Sequence, residues 1–135
     1  MKLLFLSYSV DIGGLETYIL RFGKWLSNNY PEHQIHVVCK SGFYGSYEED
    51  FRAQGIKLYS ISMGYFNLKP YFIFCRLLAS KNYDVVCDFT GEGGGLTMFF
   101  SSISKVSKRI VFYRNARNSF VSNVFKRFYQ YFINS

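Results

Sequence analysis

The chain has 135 residues, 49% of them apolar, with 16 Lys plus Arg against 9 Asp plus Glu for a net charge of +7. That length corresponds to one domain of the usual ~100–200 residues, and the apolar content is far above that of a disordered chain. Folding would bury roughly two thirds of the unfolded surface, a core that needs neither disulfide nor metal. Aromatic content reaches 21%, with 15 Phe and 12 Tyr. With the positive charge, this suggests phosphate-bearing or membrane-surface partners; the plainer reading of the charge is solubility.

Cys39, Cys75 and Cys87 are 36 and 12 residues apart, which fits neither a disulfide framework nor a zinc site. They are expected as reduced thiols of a cytosolic protein. The apolar opening Met1 to Leu6 is cut short by Ser7-Tyr8-Ser9 and Asp11, so no cleavable leader is expected. Pro70 to Ala79 is interrupted by Arg76 and reaches about half the length of a membrane span.

Lys2 to Tyr8 is nearly continuously apolar, as a central parallel strand covered on both faces would be. After Asp11-Ile12-Gly13-Gly14, apolar residues fall at Leu15, Tyr18, Ile19, Phe22 and Leu26, the stripe of an amphipathic helix that Asn28, Asn29 and Pro31 stop. Ile35 to Cys39 reads as a second strand, Tyr47 to Gln54 as a short helix ended by Gly55, and Lys57 to Ile61 as a third strand. Asn67 and Pro70 stand where a helix cap and a first-turn proline belong, with the helix running to about Ser80. Asp84 to Phe89 follows as a fourth strand, Gly91 to Gly95 as a loop, Leu96 to about Ser104 as a buried helix and Arg109 to Tyr113 as a fifth strand. A last amphipathic helix is expected from near Ser119.

Strands alternating with helices predict an α/β fold, a Rossmann-like, doubly wound parallel sheet of five strands with right-handed crossovers in the order 3-2-1-4-5. Ligands of such sheets bind outside the carboxyl ends of the strands at the switch point, here between the first and fourth strands. Two glycine-rich loops, Gly13-Gly14 and Gly91 to Gly95, are expected to open there.

Neither loop carries a known cofactor fingerprint. Gly-x-Gly-x-x-Gly is missing, and the second strand ends in Cys39-Lys40-Ser41 instead of the acidic residue that takes a ribose hydroxyl. No phosphate-binding Gly-x-x-x-x-Gly-Lys-Ser/Thr occurs. What remains is a two-glycine turn into a helix N-terminus, whose free amides and dipole favour an anion; the alternative is a tight strand-to-helix turn that uses glycine's freedom.

Lys2-Leu3-Leu4-Phe5-Leu6-Ser7, Gly13-Gly14-Leu15-Glu16-Thr17, the helix end Lys24-Trp25-Leu26 and Tyr83-Asp84-Val85-Val86 together resemble the N-terminal domain of a family 4 glycosyltransferase, a retaining enzyme of the GT-B fold. The resemblance implies that residues 1–135 form the acceptor-side domain. The C-terminal domain, which carries most of the nucleotide-sugar site and a glutamate pair, would be supplied in cis or in trans, and the 135 residues alone would not be a complete catalyst. It also implies a nucleotide-sugar donor and a glycan or lipid-linked saccharide acceptor, no further cofactor, and a cytoplasmic location with peripheral contact at the inner membrane face. The competing reading is a non-catalytic module that binds a phosphoryl ligand or docks a partner chain.

By that resemblance the amides of Gly13 and Gly14 lie near the donor diphosphate. Glu16 either contacts substrate or stabilises the helix through its dipole by about 0.3–1 kcal/mol. Where many members carry a histidine after the fourth strand, this chain reads Val86-Cys87-Asp88-Phe89-Thr90, so Asp88 or Thr90 would contact the substrate instead. Glu92, among glycines, would reach an acceptor hydroxyl or stand as a solvated loop carboxylate. In Tyr113-Arg114-Asn115-Ala116-Arg117-Asn118, Arg114, Asn115 and Arg117 would face the cleft, the guanidinium groups making forked hydrogen bonds to phosphate oxygens; the alternative is a solvated basic loop.

His33 and His36 have no third ligand nearby, so a metal site is not expected. No hydrolase elbow is present, nor a nucleic-acid motif. Tyr65, Phe66, Tyr71, Phe72 and Phe74, with Lys69 and Arg76, read as core packing of the third helix ahead of a membrane face. Val121, Val124, Phe125, Phe128 and Phe132, with Lys126 and Arg127 between them, form a basic amphipathic stripe that would pack on the sheet or lie on anionic lipid.

Overall fold

A computed structural model of the chain describes residues 1–113, apart from the side chain of Glu92. The expected last helix lies outside these residues, as do Arg114, Asn115 and Arg117. Five parallel strands, β1 (Lys2–Ser7), β2 (Gln34–Cys39), β3 (Lys57–Ser60), β4 (Val85–Asp88) and β5 (Lys108–Val111), stand in the order β3-β2-β1-β4-β5. This is the α/β, Rossmann-like sheet and the strand order expected from the sequence.

Helices α1 (Gly14–Asn29) and α2 (Glu48–Ala53) cover one face, α3 (Lys69–Lys81) and α4 (Gly95–Ile103) the other. The alternation of β1 decides which residue meets which layer: Leu3 and Phe5 pack toward α1 and α2, Leu4 and Leu6 toward α3 and α4. Leu4 and Leu6 are completely buried, and each contributes about 1.5–3 kcal/mol of apolar transfer. β1 pairs with β2 from Lys2 opposite Gln34 to Ser7 opposite Cys39, and with β4 from Leu3 opposite Val85 to Leu6 opposite Asp88. The carboxyl ends of β1, β2 and β4 therefore finish side by side.

Strand ends shift by one or two residues from the expectation, and three further differences have a local reason. Leu68, not Asn67, is the N-cap of α3, but the Asn67 side-chain oxygen still accepts the Lys69 N–H at 3.1 Å. That helix continues to Lys81 and stops where Asn82 enters the left-handed region at φ 51° and donates its N–H to Leu78, a role asparagine shares with glycine. The loop at Gly91 is a 3₁₀ turn, Gly91–Gly94, running directly into α4.

The aromatic set 65–74 is divided. Tyr71 and Phe74 enter the core, whereas Tyr65, Phe66 and Phe72 are exposed. Core packing thus holds for two of the five rings and is corrected for the other three: Tyr65 and Phe66 precede the helix, and the core-facing side of α3 is occupied by Pro70, Tyr71, Phe74 and Leu78, which leaves Phe72 outside. All three cysteines are free, Cys39 and Cys87 buried and Cys75 partly so.

Candidate functional site

The mouth between β1 and β4 is built from three segments that leave the carboxyl edge. The first, after β1, is fastened to the loop after β2: the Val10 N–H donates to the Tyr44 carbonyl at 3.0 Å, and the Tyr47 N–H to the Val10 carbonyl at 2.8 Å. Asp11 completes the seam. Its Oδ1 accepts the Ser46 N–H at 2.9 Å and its Oδ2 the Ser9 hydroxyl at 2.9 Å, and these bonds hold its carboxyl below the usual range. Gly45 faces it at φ +144°, where a Cβ would stand 2.8 Å from the Asp11 carboxyl carbon; glycine is required there by backbone and by space alike.

Gly13 is the N-cap of α1 in an extended conformation, with no side-chain capping bond on the helix end. The Thr17 N–H is the one taken by the Gly13 carbonyl, so the preceding amides of the first turn stand at an exposed helix end. Gly14 is exposed, and a Cβ there would meet nothing within 4 Å. A Cβ on Gly13 would run into Oε2 of Glu16, the flexible end of that side chain. Glu16 is folded back over the turn, half-buried, with Oε1 3.4 Å from the Ser7 hydroxyl. The carboxylate thus lies against the helix start, where the dipole favours negative charge.

The third segment carries the strongest electrostatic feature. Lys40, immediately after β2, is only 7% exposed and reaches across the end of β1 to β4. Its three ammonium protons have three acceptors: Asp88 Oδ2 at 3.1 Å, the Thr90 hydroxyl at 2.9 Å and the Gly93 carbonyl at 2.7 Å. Asp88, 0% exposed, accepts in addition the Thr90 N–H at 2.8 Å and the hydroxyls of Thr90 and Thr97. Both charges are therefore paired and fully hydrogen-bonded, the condition under which a buried ion pair is tolerated.

Asp88 is consequently turned inward and is not presented to the mouth; its acceptor capacity of about four lone pairs is filled. The half-buried Thr90 bridges Asp88 and Lys40. Gly13, Gly14, Glu16 and Thr90 come together at the carboxyl edge, whereas the Glu92 side chain, Arg114, Asn115 and Arg117 lie outside what the structure describes. Lys40, Thr97 and Asp11 were not singled out from the sequence. A lysine closing an otherwise apolar strand was the one visible signal; Thr97 and Asp11 carry none until the topology brings their partners to them.

The two histidines are engaged separately. His36 is 3% exposed and its Nδ1 lies 2.6 Å from the Tyr83 hydroxyl; burial, with Lys57, Lys2 and Lys81 nearby, depresses its pKa to about 4. His33 stacks on Tyr30 and faces the terminal amine of Met1 at 3.1 Å. Among the described residues no group of three His, Cys, Asp or Glu side chains is placed to hold a metal, and no helix is long and apolar enough to cross a membrane.

No protein-family profile matches the chain. It is 27% identical over 119 residues to the capsular polysaccharide biosynthesis glycosyltransferase CapH of Staphylococcus aureus, a match spanning 88% of this chain and 32% of that protein. In fold it is similar to a glycosyltransferase from Rickettsia africae, with a TM-score of 0.73 at 16% identity, covering 95% of this chain and 33% of that one. Anabaena HepE, solved in complex with UDP, gives a TM-score of 0.67 at 15% identity over 99% of this chain and 35% of that one. The chain thus spans about a third of the length of the proteins it matches, and its fold is that of one part of these glycosyltransferases.

Proposed function

We propose that residues 1–135 act as the acceptor-side half of a GT-B glycosyltransferase of the retaining, family 4 type. A donor-binding domain in cis or in trans would complete the enzyme, which would move a sugar from a nucleotide donor to a glycan or lipid-linked saccharide at the cytoplasmic side of a membrane. The observation that carries this reading is the α1 N-terminus, opened by Gly13 and Gly14 at the β1–β4 mouth with no side-chain cap. It offers backbone donors and a positive dipole end to a diphosphate. The likeness to CapH over most of the chain supports it.

In this reading Gly14 makes room for the phosphates and Glu16 and Thr90 line the acceptor side, while Glu92, Arg114, Asn115 and Arg117 are proposed as further substrate contacts. With Asp88 held by Lys40, no buried carboxylate among the described residues is left for proton transfer, and the task of this half is positioning, which governs rates through geometry. The test is transfer by the chain joined to its donor half. Gly14→Val should leave folding intact and raise the KM for the nucleotide sugar, and the product should keep the anomeric configuration of the donor. An inverted product, or a Gly14→Val enzyme with unchanged KM, sinks the assignment.

A further inference from the structure

Three large apolar side chains stand exposed where the segments after β1 and β2 leave the carboxyl edge: Tyr8 is 66%, Ile12 77% and Phe43 54% exposed. None of them belongs to either core cluster, so burial does not account for them. The rings of Tyr8 and Phe43 meet edge to face, with centroids 6.4 Å apart and planes at 88°. They form a corner with more than half of each side chain left in solvent.

Both rings ride on fastened backbone. The Lys40 N–H donates to the Ser7 carbonyl, the Ser41 N–H to the Tyr8 carbonyl and the Met63 N–H to the Lys40 carbonyl, each at 2.9 Å. The Ser41 hydroxyl donates to the Phe43 carbonyl at 3.1 Å. Between them Gly42 adopts φ +89°, and a Cβ there would stand 2.8 Å from the Ser62 Cβ, so the bend before Phe43 requires glycine. The ordering cost of these rings is therefore met on folding and not on binding. An exposed aromatic pair held in this way at the ligand-binding edge of the sheet reads as a contact surface.

Polar chemistry stands on the same seam. Hydrogen bonds from Ser46 and Ser9 lower the pKa of Asp11 and so keep it ionised. The Ser46 N–H and the hydroxyls of Ser46 and Ser9 use three of its about four acceptor sites, which leaves capacity for a ligand hydroxyl.

We infer that Tyr8 and Phe43 form an aromatic corner that packs on a pyranose ring of the acceptor saccharide, with Asp11 accepting one of its hydroxyls. A pyranose carries C–H groups on its faces, which pack on aromatic rings, and hydroxyls at its rim, which bond strongly to an ionised carboxylate. Two perpendicular rings suit a puckered sugar, whose C–H bonds point in two directions, whereas a planar nucleobase can stack on only one of them. The inference rests on the transferase reading and names the side chains that would grip the acceptor in it.

The test is saturation-transfer-difference NMR of the 135-residue chain with the methyl glycosides of glucose, galactose, mannose, N-acetylglucosamine and N-acetylgalactosamine, each in turn. At least one should receive saturation, strongest at the C–H protons of the ring, and uridine should not displace it. Tyr8→Ala/Phe43→Ala should weaken binding about tenfold and Asp11→Asn about threefold. Phe43→Trp, which keeps an aromatic face, should bind as the parent does, and so should Trp25→Ser, exposed in the second half of α1. Melting curves establish that the variants are folded, and Phe43→Trp separates loss of the ring from disturbance of the loop. No saturation of any glycoside overturns the proposal. So does binding that survives in the double variant, displacement by uridine, or a dimer in sedimentation velocity that Tyr8→Ala dissolves; an Asp11→Asn chain that binds unchanged removes the carboxylate contact. Failure here with a raised KM for the nucleotide sugar in Gly14→Val would overturn the corner and leave the transferase reading standing, while saccharide binding with an inverted product would do the reverse.

Discussion

The Lys40 ammonium lies 3.1 Å from the Asp88 carboxylate, joining the ends of β2 and β4 across the end of β1. Through its other two protons the same group holds Thr90 and the Gly93 carbonyl. The glycine-rich turn before α4 is thereby held from beneath by a residue 48 to 53 positions earlier. The pair acts on the shape of the mouth and not as an acid or base within it.

Removing one partner should be costly. Lys40→Met leaves Asp88 buried with an uncompensated charge, and a loss of roughly 3–5 kcal/mol is expected, with Asp88→Asn similar. Lys40→Met/Asp88→Leu should lose less than the sum of the two. Urea denaturation of the four proteins gives the coupling, and single losses below about 1 kcal/mol would show that the pair is solvated.

The two glycines of the first loop should respond differently to alanine. Gly14→Ala meets open space and should leave stability unchanged or slightly raised, because glycine is a poor helix residue. Gly13→Ala need only swing aside the flexible end of the Glu16 side chain, so its cost should come from the poorer N-cap and reach about 0.5–1 kcal/mol. Gly13→Ala/Glu16→Ala should then show additive losses in chemical denaturation, and a marked recovery in the double variant would mean that the Glu16 carboxylate is the obstacle.

Acid should weaken the fold through His36 before the carboxylates titrate. Its folded pKa of about 4 lies below the unfolded value of 6.5, so between these limits the unfolded chain binds the proton and stability rises with pH. The contribution is complete above pH 6.5 and is lost as pH falls toward 4; about 2 kcal/mol should already be gone at pH 5. The difference in urea midpoint between pH 7 and pH 5 should shrink in His36→Phe, and an unchanged difference would assign the effect elsewhere.

Thiol reactivity should separate the cysteines. Burial pushes the Cys39 thiol up to about 12 and the Cys87 thiol up to about 11, so both should resist iodoacetamide in the native protein. The partly exposed Cys75 should take up label slowly, and all three should react in urea. Rapid native labelling of Cys39 would show that β2 opens readily.

Much of the fold was legible because it rests on periodicity. Apolar runs of strand length and a 3.6-residue stripe placed each described strand and helix within a few residues, and the handedness of crossovers left few sheet orders to choose from. The site was legible where it consisted of local turn chemistry, as at Gly13-Gly14. It was illegible where its parts came from different strands. Asp88 looked like a substrate contact because its nearest neighbours in sequence are polar or glycine-rich, while the group that occupies it arrives from the end of β2.

Local sequence by itself determined that this chain would make a parallel α/β sheet with a glycine turn at the mouth, since strand and helix periods and turn residues act over a few positions. Tertiary structure alone decided which chemistry those residues are left with. Register set Lys40 against Asp88, and the rotation of α3 on the sheet sent Tyr71 and Phe74 inward and Phe72 out to solvent. Both outcomes depend on contacts between segments distant in sequence, where pairing and burial are settled by packing and not by propensity.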